Sequence, residues 1–450
     1  MEPVTLKEII DWTGGKTLNI RENIIFENIS TDSRTANEGS LFVALKGKNF
    51  DGHDFAFDAI KAGARAVIVD HCLNANFSQI IVLDTHKALG DIAANYRRRF
   101  SCPVIGITGS DGKTTTKEIC AHILSTRFNV CKNQGNFNNE IGLPLSIFSM
   151  TADTEIGIFE LGMNGYGQLR YLSSILQPDI AIITSVGYAH LGFFKSRSDL
   201  AVTKAEILQH TLFDGLTLVN NDTGFIKVFS GRTCSPPVRI GMKKCSDFRG
   251  IMYDYDRDIF TLRIEKWNGI DFKINSWNGA IAYPALFSIF IADYFGVPRG
   301  KIAKSVYEFG LISGRGKVNN CRGIYIFDES YNANPASMKM ALYYFGRQKA
   351  KRKIAIIGSM AELGKWSEFY HREIARIVKN LCFDAVFTVG DDARIISKSC
   401  GEKGRHFKTS DEISEYLCNF VKTGDAILVK GSRMNKLEIV VQKLADSLEK

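Results

Sequence analysis

The segment with the clearest chemical potential is a short glycine-rich loop, Gly109-Ser110-Asp111-Gly112-Lys113-Thr114-Thr115. An apolar strand pattern, 103–108, precedes it, and a helical pattern, 118–128, follows it. Backbone N–H groups of such a loop, together with the N-terminus of the next helix, bind phosphate oxygens. Lys113 would then reach the β- and γ-phosphates, and the Thr114 hydroxyl would coordinate Mg²⁺. The sequence predicts nucleoside triphosphate binding, although the general pattern has glycine where Ile107 stands.

Two further candidates follow strand patterns. Glu160 ends the strand 156–160, and His190 follows the strand 181–186. Functional side chains gather at the carboxyl ends of parallel strands, beside the phosphate loop, so both could hold a metal ion there. Taken alone, Glu160 is equally typical of a loop cap and His190 of a hydrogen-bonded core histidine. Lys204, in the helical pattern 199–207, is by pattern alone an exposed lysine paired with a carboxylate.

The elements that must position these residues alternate between β-branched runs and helical patterns, which predicts an α/β fold with parallel sheets. We expect three domains, 1–85, 86–312 and 313–450, the last beginning at a glycine-rich joint, 313–316. The strands expected along the chain are 40–45, 66–70, 103–108, 154–161, 179–186, 324–327, 354–357, 385–389 and 426–429, with a β-rich region over about 217–275.

Composition excludes several classes of protein. The 450 residues are 45% hydrophobic and 23% charged, which fits a globular chain of about three domains. The net charge of +9 is mild and scattered, so nucleic-acid binding is not expected. The N-terminus lacks a signal pattern, and the uncharged stretch 274–292 is better explained by a buried helix than by a membrane span. Ten cysteines without a C-x-x-C pair fit reduced thiols in a cytoplasmic protein.

Taken in order, the motifs resemble those of the Mur ligase family over nearly the whole chain. The phosphate loop has the short form of that family, which explains its unusual spacing. The other matching segments are Thr31-Asp32-Ser33-Arg34, 39–47, 51–55, 136–144, 328–335, 359–364 and 429–433. The segment 328–335 resembles the D-D-S-Y-N-A-N-P signature of the members that add a dipeptide, with Glu329 replacing the second Asp.

The resemblance implies a small α/β UDP-sugar-binding domain, a central P-loop ATPase-like parallel sheet, and a C-terminal Rossmann-like domain that closes over ATP and binds the dipeptide. It implies a cytoplasmic, monomeric, ATP-dependent, ADP-forming ligase of peptidoglycan synthesis, which adds D-alanyl-D-alanine to UDP-N-acetylmuramoyl-tripeptide through an acyl phosphate. The alternatives are a sister Mur or folylpolyglutamate-type ligase with another acceptor, or a nucleotide-switched binding protein without ligase activity.

The same resemblance implies roles for individual residues. Magnesium, as two ions, would be held by Thr114, Glu160, His190 and a carbamylated Lys204. ATP would contact the loop 109–115, Arg315, Asp328 and Asn332. The catalytic set would be Lys113, His190, Lys204 and Arg315. The UDP-substrate would contact Ser33, Arg34, Lys46, Gly47, Asp51, Gly52 and His53.

Two matters stay open at this point. Tyr331 and Asn334 belong to a loop that contacts either nucleotide or dipeptide, and Asp328 and Asn332 could instead cap a helix beginning after Pro335. The family's G-x-H-N stretch, which helps to hold adenine, reads 279–286 here without the His or Asn. Adenine is therefore held either by backbone and apolar contacts or by another residue such as Asn278.

Overall fold

The computed structural model describes residues 1–20, 23–188, 191–212, 214–256, 259–267 and 269–449. Within these ranges the strands form four sheets of two, five, nine and six strands. Parallel pairings predominate and helices alternate with strands, so the predicted α/β fold is confirmed. The division into domains at 85/86 and 312/313 stays a prediction.

The N-terminal part holds a five-stranded sheet of order β2-β7-β6-β5-β4 and an antiparallel pair, β1 with β3. Strands β5 and β6 are buried along their whole length, as expected of parallel strands covered on both faces. The elements are β1 (Val4–Thr5), α1 (Leu6–Thr13), β2 (Lys16–Leu18), β3 (Ile25–Phe26), β4 (Asn28–Ser30), β5 (Ser40–Val43), α2 (Ala56–Lys61), β6 (Ala66–Val69), β7 (Gln79–Ile81) and α3 (Thr85–Arg97).

The nine-stranded sheet has the order β16-β15-β14-β13-β12-β11-β8-β10-β9. It is parallel from β9 to β14 and antiparallel beyond. Its elements are β8 (Val104–Thr108), α4 (Lys113–Leu124), β9 (Val130–Lys132), α5 (Gly142–Ile147), β10 (Ile156–Glu160), α6 (Gln168–Leu176), β11 (Ile180–Ile183), α7 (Arg197–Lys204), β12 (Leu216–Asn220), α8 (Ile226–Ser230), β13 (Val238–Gly241), β14 (Phe248–Asp256), β15 (Ile259–Ile264), β16 (Asp271–Asn275), α9 (Ala282–Tyr294) and α10 (Arg299–Glu308).

The C-terminal sheet has the order β17-β18-β22-β19-β20-β21, and only β17 with β18 is antiparallel. Its elements are β17 (Lys317–Cys321), β18 (Ile324–Glu329), α11 (Pro335–Gly346), β19 (Arg352–Gly358), α12 (Ser367–Asn380), β20 (Ala385–Val389), α13 (Arg394–Lys398), β21 (Gly404–Phe407), α14 (Ser410–Phe420), β22 (Asp425–Lys430) and α15 (Glu438–Glu449).

The uncharged stretch 274–292 is not one helix. It contains the end of β16, a short turn capped by Asn278, and all but the last two residues of α9. Helix α9 packs against α4, where Ser288 Oγ lies 3.3 Å from Cys120 Sγ. Burial there raises the pKa of the Cys120 thiol to about 12. In the described part of the chain, no helix combines the length and apolarity that crossing a membrane requires.

Candidate active site

The phosphate loop lies between β8 and α4, as the sequence predicts. Gly112 has φ +81° and precedes the first helical residue, Lys113. A Cβ on Gly109 would lie 1.9 Å from Thr184 Oγ1, so only glycine fits there. Helix α4 begins five residues before the expected 118, because the β-branched run 114–116 has weak helix propensity and obscures its start.

Neighbouring backbone holds the loop in place. The Ser110 N–H donates to the Ser185 carbonyl at 3.1 Å, and the Asp111 N–H donates to Ser185 Oγ at 2.7 Å. Lys113 Nζ folds back and donates to the Gly109 carbonyl at 2.8 Å. The lysine ammonium therefore already lies over the cradle that a phosphate would enter.

Glu160 and Thr114 meet beside this loop. Thr114 Oγ1 donates to Glu160 Oε2 at 2.6 Å, and Asn138 Nδ2 donates to Glu160 Oε1 at 2.8 Å. Glu160 is buried at the carboxyl end of β10. A hydroxyl and a carboxylate at this spacing are hard oxygen donors of the kind that Mg²⁺ prefers, so the residues present fit that ion.

Three residues that the sequence analysis did not single out support this pair: Asn138, Asn133 and Lys117. The Asn133 side chain bonds both backbone groups of Glu160, and Lys117 Nζ donates to the Asn133 carbonyl at 2.5 Å. Lys117 is fully buried and is also paired with Glu118 Oε1 at 3.0 Å. The only sequence signal was the nearness of Lys117 to the loop and of Asn138 to the motif 136–144.

Lys204 ends α7, and its side chain is 1% exposed. The interpretation of Lys204 as an exposed, ion-paired lysine is therefore wrong. Burial lowers the pKa of Lys204 well below its ordinary value, and the nearby positive charge of Lys113 lowers it further, while Asp111 opposes both effects. The neutral amine is thus favoured at this position. His190, the other expected metal ligand, lies outside the described residues.

Asp328 lies behind the glycine-rich joint. Its Oδ2 accepts from Gly314 N at 2.7 Å and from Ser313 Oγ at 3.2 Å, and its Oδ1 accepts from Ser330 N and Oγ at 3.1 and 2.6 Å. The carboxylate is 2% exposed and its oxygens are fully engaged. This geometry favours a role in holding the joint over the ATP contact that the resemblance implies for Asp328.

The loop after β18 brings the C-terminal sheet to the phosphate loop. The Arg315 guanidinium stacks on Tyr331, 4.0 Å from the ring centroid. Asn334 Nδ2 donates to Asp111 Oδ1, while Asn334 Oδ1 caps α11 by accepting from Ser337 N at 3.0 Å. The helix cap is therefore Asn334, and the alternative assignment of the cap to Asp328 or Asn332 is wrong. The Asn332 carbonyl accepts from the buried Lys430 at 3.0 Å.

Many of these groups line one cavity of about 730 Å³, a volume in the range of ligand pockets. Lys204, Asp328, Asn133 and Lys117 are described but are not among its lining residues. Both sheets contribute to its lining, which includes residues 110–115, Glu160, Arg315, Tyr331, Asn332 and Asn334. The altered segment supplies an apolar wall through Ala280, Ile281 and Pro284. Asn278 donates to Glu329 Oε1 at 2.9 Å and accepts from Ala280 N at 3.0 Å. Asn278 also lines the cavity, and its amide has one further donor and one further acceptor position, so both alternatives for holding adenine stay open.

All seven residues expected to contact the UDP-substrate lie in the part of the chain that the structure describes, and none of them lines this cavity. They follow β4 and β5, at the carboxyl edge of the five-stranded sheet. Arg34 is exposed and paired with Asp32 at 2.6 Å, which lowers the pKa of that carboxyl to about 2. Gly52 is required because a Cβ would lie 2.5 Å from Leu45 N. His53 is buried, with Nδ1 2.6 Å from Asp51 Oδ1.

Comparisons with known proteins agree along the whole chain. Three family models match: the Mur ligase family catalytic domain over 25–97, the Mur ligase middle domain over 107–289, and the Mur ligase glutamate ligase domain over 314–433. The UDP-N-acetylmuramoyl-tripeptide–D-alanyl-D-alanine ligase of Bacillus subtilis is 32% identical, with 98% of each chain covered. The Synechocystis ligase of that name is also 32% identical, over 95% of this chain and 93% of its own.

Solved structures give the same result. MurF from Acinetobacter baumannii superposes with a TM-score of 0.90 at 29% identity, covering 100% of both chains. MurF ligase from Thermotoga maritima, solved in complex with ADP, has a TM-score of 0.84 at 29% identity, over 94% of this chain and 98% of its own. Together with the short phosphate loop and its Thr114–Glu160 pair, these matches establish that the chain belongs to the Mur ligase family.

Proposed function

We propose that this protein is an ATP-dependent, ADP-forming ligase that joins D-alanyl-D-alanine to UDP-N-acetylmuramoyl-tripeptide. The product is the UDP-muramoyl-pentapeptide precursor of peptidoglycan, made in the cytoplasm. One observation carries the proposal: the phosphate loop, Glu160 and the dipeptide-signature loop 328–335 contribute to a single cavity. The names of relatives at 32% identity support the choice of substrates.

The chemistry requires a carboxylate to become a better acyl donor, because oxide is a poor leaving group. A carboxylate oxygen of the tripeptide attacks the γ-phosphorus of ATP, forms an acyl phosphate and releases ADP. The dipeptide amine then attacks the acyl carbon, loses a proton, and phosphate leaves. Lys113, which already lies over the loop, would turn from the Gly109 carbonyl to the β- and γ-phosphates and stabilise their charge.

Thr114 and Glu160 would hold Mg²⁺, as their oxygen donors and 2.6 Å contact allow. When bound, the ion would neutralise charge on the transferring phosphoryl group. The lowered pKa of Lys204 supports carbamylation: the neutral amine nitrogen would bond to the carbon of CO₂ and release a proton, leaving an anion. That anion, with His190, would suit a second Mg²⁺.

Water must be excluded, since an acyl phosphate would otherwise hydrolyse. The contacts between Asn334 and Asp111, and between Gly192 N and the Glu362 carbonyl at 2.8 Å, would hold the C-terminal part over the nucleotide. Arg315, stacked on Tyr331, would contact the phosphates or ribose from the same side. Tyr331, Asn332 and Asn334 would contact nucleotide or dipeptide.

The UDP-substrate would bind at the edge formed by Ser33, Arg34, Lys46, Gly47, Asp51, Gly52 and His53.

The chain would work as three domains, 1–85, 86–312 and 313–450, and as a monomer. The fold is shared more widely, since folylpolyglutamate synthase from Mycobacterium tuberculosis matches with a TM-score of 0.63 at only 13% identity. The experiment must therefore distinguish acceptors.

ADP release is measured with ATP, Mg²⁺ and UDP-muramoyl-tripeptide, with and without D-alanyl-D-alanine, and the peptide product is identified by mass spectrometry. We expect ADP release that depends on both substrates and one pentapeptide per ADP. Turnover with a single amino acid or glutamate in place of the dipeptide would indicate a sister ligase. ADP release that is independent of the dipeptide, without a peptide product, would exclude the proposed ligase.

A further inference from the structure

A cluster of metal-ligating side chains lies away from the nucleotide cavity, at the edge of the five-stranded sheet. It consists of His53, in the loop after β5, and Asp70 and His71, which directly follow β6. Each offers one ligand atom, and these three atoms lie within 4.8 Å of one another. The two imidazole rings are stacked, with centroids 4.7 Å apart.

The orientation of His53 is set by a carboxylate behind it. Its Nδ1 lies 2.6 Å from Asp51 Oδ1, so Nδ1 carries the proton and donates it to that carboxylate. The lone pair of Nε2 then points towards Asp70, whose backbone N–H donates a hydrogen bond to it at 3.2 Å. To ligate, Nε2 would exchange this hydrogen bond for a bond to the ion. A carboxylate that holds Nδ1 in this way is the usual support of a histidine that ligates zinc through Nε2.

The spacing of the other ligands fits a tetrahedral ion. With metal–ligand bonds of about 2.0–2.1 Å, neighbouring ligand atoms of a tetrahedral site lie about 3.3 Å apart. His53 Nε2 and Asp70 Oδ1 are 3.2 Å apart. His71 Nδ1 is closer to Asp70 Oδ1, at 2.5 Å, as a hydrogen bond requires, and its side chain is 61% exposed. Because this ring is exposed, it has room to turn from the hydrogen bond to ligation.

We propose that His53, Asp70 and His71 form a binding site for a single Zn²⁺-like divalent ion. Two imidazoles and one carboxylate suit Zn²⁺ or Co²⁺ rather than Mg²⁺, which prefers oxygen ligands. Three protein ligands leave a fourth position open to solvent on the exposed side. The ion would tie the end of β6 to the loop after β5 and so stiffen the edge at which the UDP-substrate is proposed to bind. The site itself does not depend on that function.

The test is a calorimetric titration of the full chain with Zn²⁺ in a large excess of Mg²⁺, which fills oxygen-rich sites but competes poorly for imidazole. The variants are Asp70→Asn and His71→Ala, at two exposed positions, and the matched controls are Asp58→Asn and His86→Ala. We expect one Zn²⁺ per wild-type chain, at least ~10-fold weaker binding in both variants, and unchanged binding in both controls. Bound Co²⁺ should show the visible absorption of a four-coordinate site.

Folding is checked by the Tm of each variant without metal, and His71→Gln replaces any variant that fails to fold. Zinc should raise the Tm of the wild type and of the controls but not that of the site variants. Equal Zn²⁺ affinity in the wild type and in His71→Ala or His71→Gln would overturn the proposal, as would no Zn²⁺ binding by the wild type. Neither result would bear on the ligase reaction, which is measured separately.

Discussion

The Asn133 side-chain amide bonds both backbone groups of Glu160, accepting from its N–H at 2.9 Å and donating to its carbonyl at 3.1 Å. The same Nδ2 also donates to the Phe137 carbonyl at 2.8 Å. A single buried amide thus fixes the end of β10, from which the Glu160 carboxylate reaches Thr114. Asn133 is a positioning residue for the proposed magnesium ligand.

Replacing Asn133 by Ala should impair catalysis through this positioning. The Glu160 backbone would lose both bonds, and its carboxylate would no longer be held at a fixed place beside the loop. We expect kcat to fall about 10- to 100-fold, the usual range for losing the support of a metal ligand, together with a higher Mg²⁺ requirement. Steady-state kinetics over a Mg²⁺ series measures both. The exposed Asn129→Ala is the control, and an unchanged Mg²⁺ dependence in Asn133→Ala would contradict the positioning role.

Lys204→Ala should abolish ligase turnover, because it removes the amine proposed to become the anionic carbamate. Small added carboxylates should partly restore the rate, because they would fill the space of the missing carbamate and supply its negative charge. The assay is ADP release with both substrates, with and without added acetate or propionate. Full activity without rescue would exclude a catalytic role for Lys204. Lys301→Ala, an exposed lysine on α10, is the control.

The lowered pKa of Lys204 also predicts how stability changes with pH. Between the folded pKa and the ordinary value near 10.5, the unfolded chain binds the proton and the folded chain does not, so unfolding takes up protons. The free energy of unfolding should therefore rise with pH in that window, by up to about 1.4 kcal/mol per pH unit from this group. Lys204→Met should remove this slope and stabilise the protein at neutral pH. Urea unfolding at pH 7 to 9, without Mg²⁺ or CO₂, measures it.

Local order in the sequence is enough to predict part of the site. The phosphate loop is predictable because strand, glycines, lysine and helix are contiguous, and Glu160 because it ends a strand. The support from Asn133 could not be predicted, since it joins residues 27 apart whose pairing depends on sheet order. The burial of Lys204 cannot be predicted from its helical pattern, because the pattern shows a residue's neighbours along the helix but not what covers the end of the helix.

Closure over the nucleotide should depend on Gly192. Its N–H donates to the Glu362 carbonyl, and a Cβ there would lie 2.9 Å from that oxygen and 3.0 Å from Gly364 N. Both obstacles are backbone atoms, so Gly192→Ala should hold the loop around Gly192 away from the loop around Glu362. We expect kcat/KM to fall at least ~10-fold, because a misplacement of about 1 Å in an active site costs this much or more. ADP should still bind through the phosphate loop, as calorimetry can show, but without the contacts from the C-terminal part. Gly300→Ala, which has open space, is the control, and equal kcat/KM in the two variants would contradict the role.

Glu329, which stands where the signature has Asp, should matter for stability. Its Oε2 lies 3.2 Å from Lys430 Nζ, and the Lys430 side chain is 2% exposed. Removing the carboxylate in Glu329→Ala leaves a buried ammonium that still donates to the Asn332 carbonyl but has lost its ion-pair partner. We expect a loss of about 3–5 kcal/mol in the free energy of unfolding, the usual cost of breaking a buried ion pair.

The double variant Glu329→Ala with Lys430→Met tests whether that loss comes from the unpaired charge. Because the buried ammonium is then gone, the double variant should recover much of the stability that the single variant loses. The matched surface pair is Lys304 with Glu308, 3.8 Å apart and exposed, and Glu308→Ala should cost less than about 1 kcal/mol. Urea unfolding of the variants measures each value. If Glu329→Ala and Glu308→Ala lower the free energy of unfolding by the same amount, the Glu329–Lys430 pair does not stabilise the C-terminal part.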